Sequence, residues 1–169
     1  MHALIWRAAK ADELLYAKAP CDERVTVHAA RLHADFNRML SGQPLKFPET
    51  NAAVARIREE LNELGFEPSF EERDVRDDGL GVVGKLDAHG SIQGVPVILE
   101  VKCVRFLPQV IRAAEAAQLM MYAMGRYGER ADEALLLGVY VQPCPPFRVG
   151  IRPVLNFSEL EPYVRQLAA

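Results

Sequence analysis

The sequence predicts a single mixed α/β domain, a sheet packed between helices. The prediction rests on three observations. Two helix-period segments open the readable part of the chain. A stretch without helical period, carrying strand-like runs, follows. Then come one further helical segment and a nearly apolar run. The length of 169 residues suits one domain over the whole of 1–169, and half the residues are hydrophobic, enough to fill a core.

Residues 1–20 mix apolar and polar side chains without a period and are read as irregular. Residues 22–41 form the first helix, with Val25, Ala29, Leu32, Phe36, Met39 and Leu40 on one stripe. Ser41-Gly42 ends it, and Pro44 and Pro48 mark a linker. Thr50 or Asn51 caps a second helix running to Leu64, its stripe being Ala53, Val54, Ile57, Leu61 and Leu64, with Gly65 as its stop. Strand-like runs follow at 66–76, 80–89 and 95–104. Asp77-Asp78-Gly79 is the turn signal between the first two, and Gly90 to Gly94 that between the second and third. The run Val95–Val104 is rich in branched apolar residues and reads as a central strand. A third helix is expected over 108–127, closed by Gly128. A strand at 134–142, a proline-rich turn, a short strand at 147–152 and a helix capped by Ser158 complete the order. A meander of strands followed by a helical crossover implies a mixed sheet.

The net charge of −3 counts against strong nonspecific DNA binding by the chain as a whole, but not against a local basic patch. Of 20 basic residues 15 are arginine, a bias that suits phosphate contacts and equally suits solvated helix faces. No apolar run reaches the ~18 residues of a membrane span, and the N-terminus lacks a signal-peptide pattern; the expectation is a cytoplasmic protein without membrane contact. Cys21, Cys103 and Cys144 are odd in number and far apart. They predict free thiols, with neither a disulfide framework nor a zinc or iron–sulfur site.

The chemistry begins at Ile98-Leu99-Glu100-Val101-Lys102-Cys103. Alternation along a strand puts Glu100 and Lys102 on one face and Leu99, Val101 and Cys103 on the other. Two opposite charges inside an apolar strand form either an exposed ion pair or part of a site. Upstream, Gly84-Lys85-Leu86-Asp87 places Asp87 in the preceding strand, within reach of Glu100 across the hairpin. Paired carboxylates suit a hard divalent cation such as Mg²⁺ or Mn²⁺. The lysine two residues on can hold an attacking water or stabilise charge on a phosphate. Downstream, Gln118 and Tyr122 lie at i, i+4 on the third helix, where a core-boundary shoulder is the plainer explanation.

Taken in order, GKLD, twelve residues, EVK and then QLMMY resemble the PD-(D/E)xK nuclease superfamily, and more closely its RecB-like branch of recombination, CRISPR-associated and phage exonucleases. The pattern covers roughly residues 22–142. The resemblance implies a restriction-endonuclease-like αβββαβ core and a metal-dependent deoxyribonuclease, of exonuclease type, acting in DNA repair, recombination or phage DNA processing. It implies Asp87, Glu100, Lys102, Gln118 and Tyr122 as catalytic residues. Asp87, Glu100 and the backbone carbonyl of Val101 would bind Mg²⁺ or Mn²⁺, and Gln118 and Tyr122 would orient Lys102 or the DNA backbone. Val27-His28-Ala29-Ala30 resembles the branch's helix-histidine motif, making His28 a further metal ligand; Glu60, on the second helix, is the competing choice. Glu72 resembles an acidic residue near the first strand of phage members. Arg105 and Arg112 flank the loop after the third strand and are candidate phosphate contacts. Scattered cysteines exclude the iron–sulfur cluster of CRISPR-associated members. DNA is the implied partner, with a protein partner or homo-oligomer also open. The alternative is a catalytically inert nuclease-like module that binds nucleic acid or a protein.

Overall fold

In the computed structural model, residues 21–71, 73–79, 81–143 and 147–168 are described. Helix α1 spans Cys21–Leu40 and α2 spans Asn51–Glu63. Seven strands follow in the order β1 (Phe66–Pro68), β2 (Asp74–Asp77), β3 (Val82–Lys85), β4 (Ala88–Ile92), β5 (Val95–Cys103), β6 (Leu135–Gln142) and β7 (Arg148–Pro153). Helix α3 (Ala113–Tyr127) connects β5 to β6, and α4 (Phe157–Ala168) closes the chain. The main sheet has the order β1-β4-β5-β6-β7, with β5 and β6 parallel and the other neighbours antiparallel. The expected mixed sheet between helices is therefore present.

Strand alternation sorts the core into two layers. Val97, Leu99, Val101, Leu137, Val139 and Val141 face α1 and α2 and meet Leu32, Phe36, Val54 and Ile57. Ile98 and Leu136 face the other way, toward Leu119, Met120, Ala123 and Met124 of α3. Asp35 is fully buried yet satisfied: its carboxylate accepts from the Lys46 and Phe47 amides, each at 2.8 Å, and from the Thr50 hydroxyl at 2.6 Å. It ties the linker to α1 and so sets where α2 begins.

The expected runs 66–76 and 80–89 are each broken in two. Their inner parts, β2 and β3, pair as a separate two-stranded sheet lying against α3. The break frees the chain at Leu86-Asp87, between β3 and β4, so Asp87 sits on a bend rather than within a strand. Gly90 lies inside β4, opposite Pro68, where a side chain would strike the Glu67 carbonyl. The turn is only Gln93-Gly94, with φ of 52° and 80°, the two positive values a type I′ hairpin requires. Helix α3 begins at Ala113, because Val104–Arg112 is an irregular loop, and Ser158 lies within α4 rather than capping it. Glu72, Cys144 and residues 1–20 lie outside the described residues.

Candidate active site

The site forms where β4 leaves β5. The last paired residues are Ala88 and Leu99, so beyond Leu99 the β4-side edge of β5 has no ladder partner. Val101 directs its amide and carbonyl to that open edge, since both groups of a strand residue point the same way. The Asp87 carboxylate takes the amide, Val101 N to Asp87 Oδ2 at 2.7 Å. The bend is pinned by Arg73, which donates to the Asp87 carbonyl at 2.8 Å and to Asn37 of α1. The Arg73 carbonyl in turn accepts from Leu86 N at 2.9 Å. Arg73 is thus a positioning residue that the sequence reading missed.

Glu100 and Lys102 share the α3-facing side of β5, as alternation predicts. Glu100 is 4 % exposed, and its Oε1 accepts from Lys102 Nζ at 2.6 Å and from Gln118 Nε2 at 3.0 Å. Gln118, expected with Tyr122 to orient Lys102 or the DNA backbone, donates to the same oxygen that Lys102 holds and to the Tyr122 hydroxyl at 3.0 Å. Tyr122 lies over Gly84, where a Cβ would fall 2.5 Å from the ring. The glycine of the GKLD string and the tyrosine of the QLMMY string are therefore one packing unit. Four side chains from β5 and α3 form a continuous hydrogen-bonded row: Lys102, Glu100, Gln118 and Tyr122.

The imidazole that meets Asp87 is His33, with Nε2 3.2 Å from Asp87 Oδ2. His28 is wholly buried (0 % exposed). The two flank the α1 stripe on opposite sides, five residues or about 140° apart, so periodicity alone could not choose between them. Glu60 lies elsewhere, bonded to Arg56 at 2.6 Å on the outer shoulder of α2. His33 Nδ1 meets the Ala29 carbonyl one turn earlier, at 2.6 Å. That bond leaves Nε2 facing the carboxylate.

The charges respond to each other. The Asp87 hydrogen bond raises the His33 pKa to about 9, with desolvation opposing it and the Asp87 charge and the Ala29 and Val101 carbonyls assisting. Burial, reinforced by the Asp87 charge, pushes Glu100 above its ordinary value even though Lys102 pulls it down. Burial acts to lower Lys102, but its bond to Glu100 and the surrounding carboxylates outweigh this and leave it raised. On the opposite face of β5, burial pushes the Cys103 thiol up to about 12, which disfavours its thiolate. Arg112 stacks over Tyr140 and pairs with Glu115 at 2.8 Å, while Arg105 stacks over Phe106.

Carboxylates and a backbone carbonyl are donor types that suit a hard divalent cation. Asp87 meets His33 Nε2 and the Val101 amide at the bend, and Glu100 lies next along β5 on its α3-facing side. The other ring nitrogen of His33 is held by a carbonyl, as in most histidine ligands. Among the described residues, no group of three or more His, Cys, Asp or Glu side chains is placed to hold a metal ion.

No family model matches the chain, and no curated protein matches it. Among solved structures, the crystal structure of a protein designated SSO0001 superposes with a TM-score of 0.36 and 16% identity, covering 87% of this chain and 71% of that one. A superposition that loose carries no argument about fold or function.

Proposed function

We propose that the chain is a Mg²⁺- or Mn²⁺-dependent nuclease that hydrolyses phosphodiester bonds of DNA, as the resemblance to the RecB-like branch of PD-(D/E)xK nucleases implies. The observation that carries the reading is Glu100. A carboxylate that burial, and next the charge of Asp87, pushes above its ordinary value while it bonds a half-exposed lysine is the kind of perturbed group that gathers at functional sites. Asp87, Glu100, His33 Nε2 and the Val101 carbonyl would hold the cation, which supplies Lewis acidity and activation of water.

The chain's own residues do the rest. Lys102 is free to turn from Glu100 to a phosphate oxygen or the attacking water, because it remains partly exposed while Glu100 is not. Gln118 keeps Glu100 Oε1 engaged when Lys102 leaves it. Arg73 fixes the Asp87 bend.

The test is cleavage of labelled linear and circular DNA, single- and double-stranded, with Mn²⁺, Mg²⁺ or EDTA. Wild type should cut in metal and not in EDTA, and Lys102→Ala should cut at least ~100-fold more slowly, the order of effect seen on removing one charge-stabilising donor. Full activity in Lys102→Ala would sink the mechanism. Cleavage of linear but not circular substrate would show that an end is needed.

A further inference from the structure

Glu115, in the first turn of α3, is 9 % exposed, yet only half of its carboxylate is used. Its Oε1 pairs with Arg112 at 2.8 Å, while Oε2 is buried and has no hydrogen-bond partner among the described residues. A buried acceptor left unpaired costs stability, so its retention points to a second state of the molecule in which it is paired.

The neighbour that can supply the bond is Lys102. Helix α3 links the parallel strands β5 and β6, so it runs back against β5 and its start lies over the end of that strand. Gln118 meets Glu100. One turn toward the helix start, about 4.5 Å along the axis, comes Glu115. Two residues toward the strand end, about 6.6 Å along, comes Lys102. Tyr140 ties this end together: it pairs with Lys102 across the ladder, its hydroxyl accepts from the Arg112 amide at 3.1 Å, and its ring lies under the Arg112 guanidinium. The charge of Glu115 is accordingly among those that act on Lys102.

We propose that Glu115 is a second seat for the Lys102 ammonium, a positioning residue that receives it when Glu100 Oε1 is given to another ligand. In the structure Lys102 Nζ rests on Glu100 Oε1 at 2.6 Å. Once Glu100 engages a divalent cation, that oxygen no longer serves the lysine, and like charge drives the ammonium away. Without a second carboxylate it would swing to solvent. On Glu115 Oε2 it stays at the site, and with three N–H donors it keeps two for a phosphate oxygen or a water. This rests on the nuclease reading for the ligand that displaces Lys102, and adds how the lysine is held once displaced.

The deciding experiment is a crystal structure of full-length Glu100→Gln in EDTA, where a neutral amide competes poorly with a carboxylate for an ammonium. Lys102 Nζ should lie within about 3.2 Å of Glu115 Oε2. Nζ still on the residue-100 side chain, or turned to solvent, overturns the proposal. Kinetics of DNA cleavage in Mn²⁺ give a second readout. Glu115→Gln should lower kcat at least ~10-fold and change KM less than about twofold, since a drifting lysine misplaces charge at the reacting phosphate. A role through Arg112 alone would raise KM instead, and that result, or an unchanged kcat, overturns the seat while leaving the nuclease. Should Glu115→Gln not fold, the Glu100→Gln structure decides alone. Lys102 seated on Glu115 in a protein that cuts nothing would leave the seat standing and remove the nuclease.

Discussion

Asp87 owes its position to a strand that stops. Had β4 continued beyond Ala88, a ladder bond would fill the place the Asp87 carboxylate takes on Val101, and His33 would have no carboxylate to meet. His33 therefore reports on the site. Its folded pKa of about 9 lies above the ordinary 6.5, so its contribution to stability is complete below pH 6.5 and lost as pH rises through 9. The metal-free protein should lose thermal stability between pH 6.5 and 9, and His33→Gln should flatten that slope; an identical slope in the variant would show that His33 is not the group responsible. A cation competing for Nε2 should bind more tightly over the same rise in pH. Some of this was legible from sequence. Asp87, Glu100 and Lys102 follow from order and alternation, and the structure brings them together. His33 and Arg73 do not follow, because their roles depend on the phase of α1 and on a bend, neither of which a local pattern fixes.

At the scale of elements, β5 and α3 carry the site between them. β5 supplies Glu100 and Lys102, and α3 supplies Gln118 and Tyr122 one turn apart. Their spacing is set through Gly84 of β3, whose missing side chain admits the Tyr122 ring. Gly84→Ala should displace that ring and cost roughly 1–3 kcal/mol, the usual cost of overpacking, together with Gln118's hold on Glu100. Adding Tyr122→Ala should restore stability but not cleavage, and the check is thermal unfolding of the single and double variants. No restoration would mean that Gly84 serves the backbone alone. The elements themselves were largely legible: the helices through their stripes, and β5 and β6 through apolar runs. What the sequence hid was the division of two strand-like runs into four strands. Both halves of each run have strand composition, and only their competing partners, α3 for β2 and β3 against β5 for β4, decide where they part.

Taken whole, the molecule is acidic, so any hold on DNA must come from local charges rather than the net charge. If Lys102, Arg105 and Arg112 each meet a phosphate, the logarithm of affinity should fall against the logarithm of salt with a slope of about −2 to −3. Arg105→Gln should make it shallower by about 0.7 to 0.9. A slope near zero would mean that these residues meet no phosphate. Among the described residues no helix is long and apolar enough to cross a membrane. The Gln93-Gly94 turn also has a reach beyond its two residues. It sets which residue of β5 faces which residue of β4, and along a strand one step of slippage exchanges inside for outside. A single residue inserted there would have to be absorbed as a bulge. Otherwise Glu100 and Lys102 would turn into the apolar layer against α1 and α2, with Leu99 and Val101 facing α3. The turn acts as the molecule's parity setting: an even change in its length keeps Glu100 and Lys102 beside Gln118, and an odd one moves them to the opposite layer.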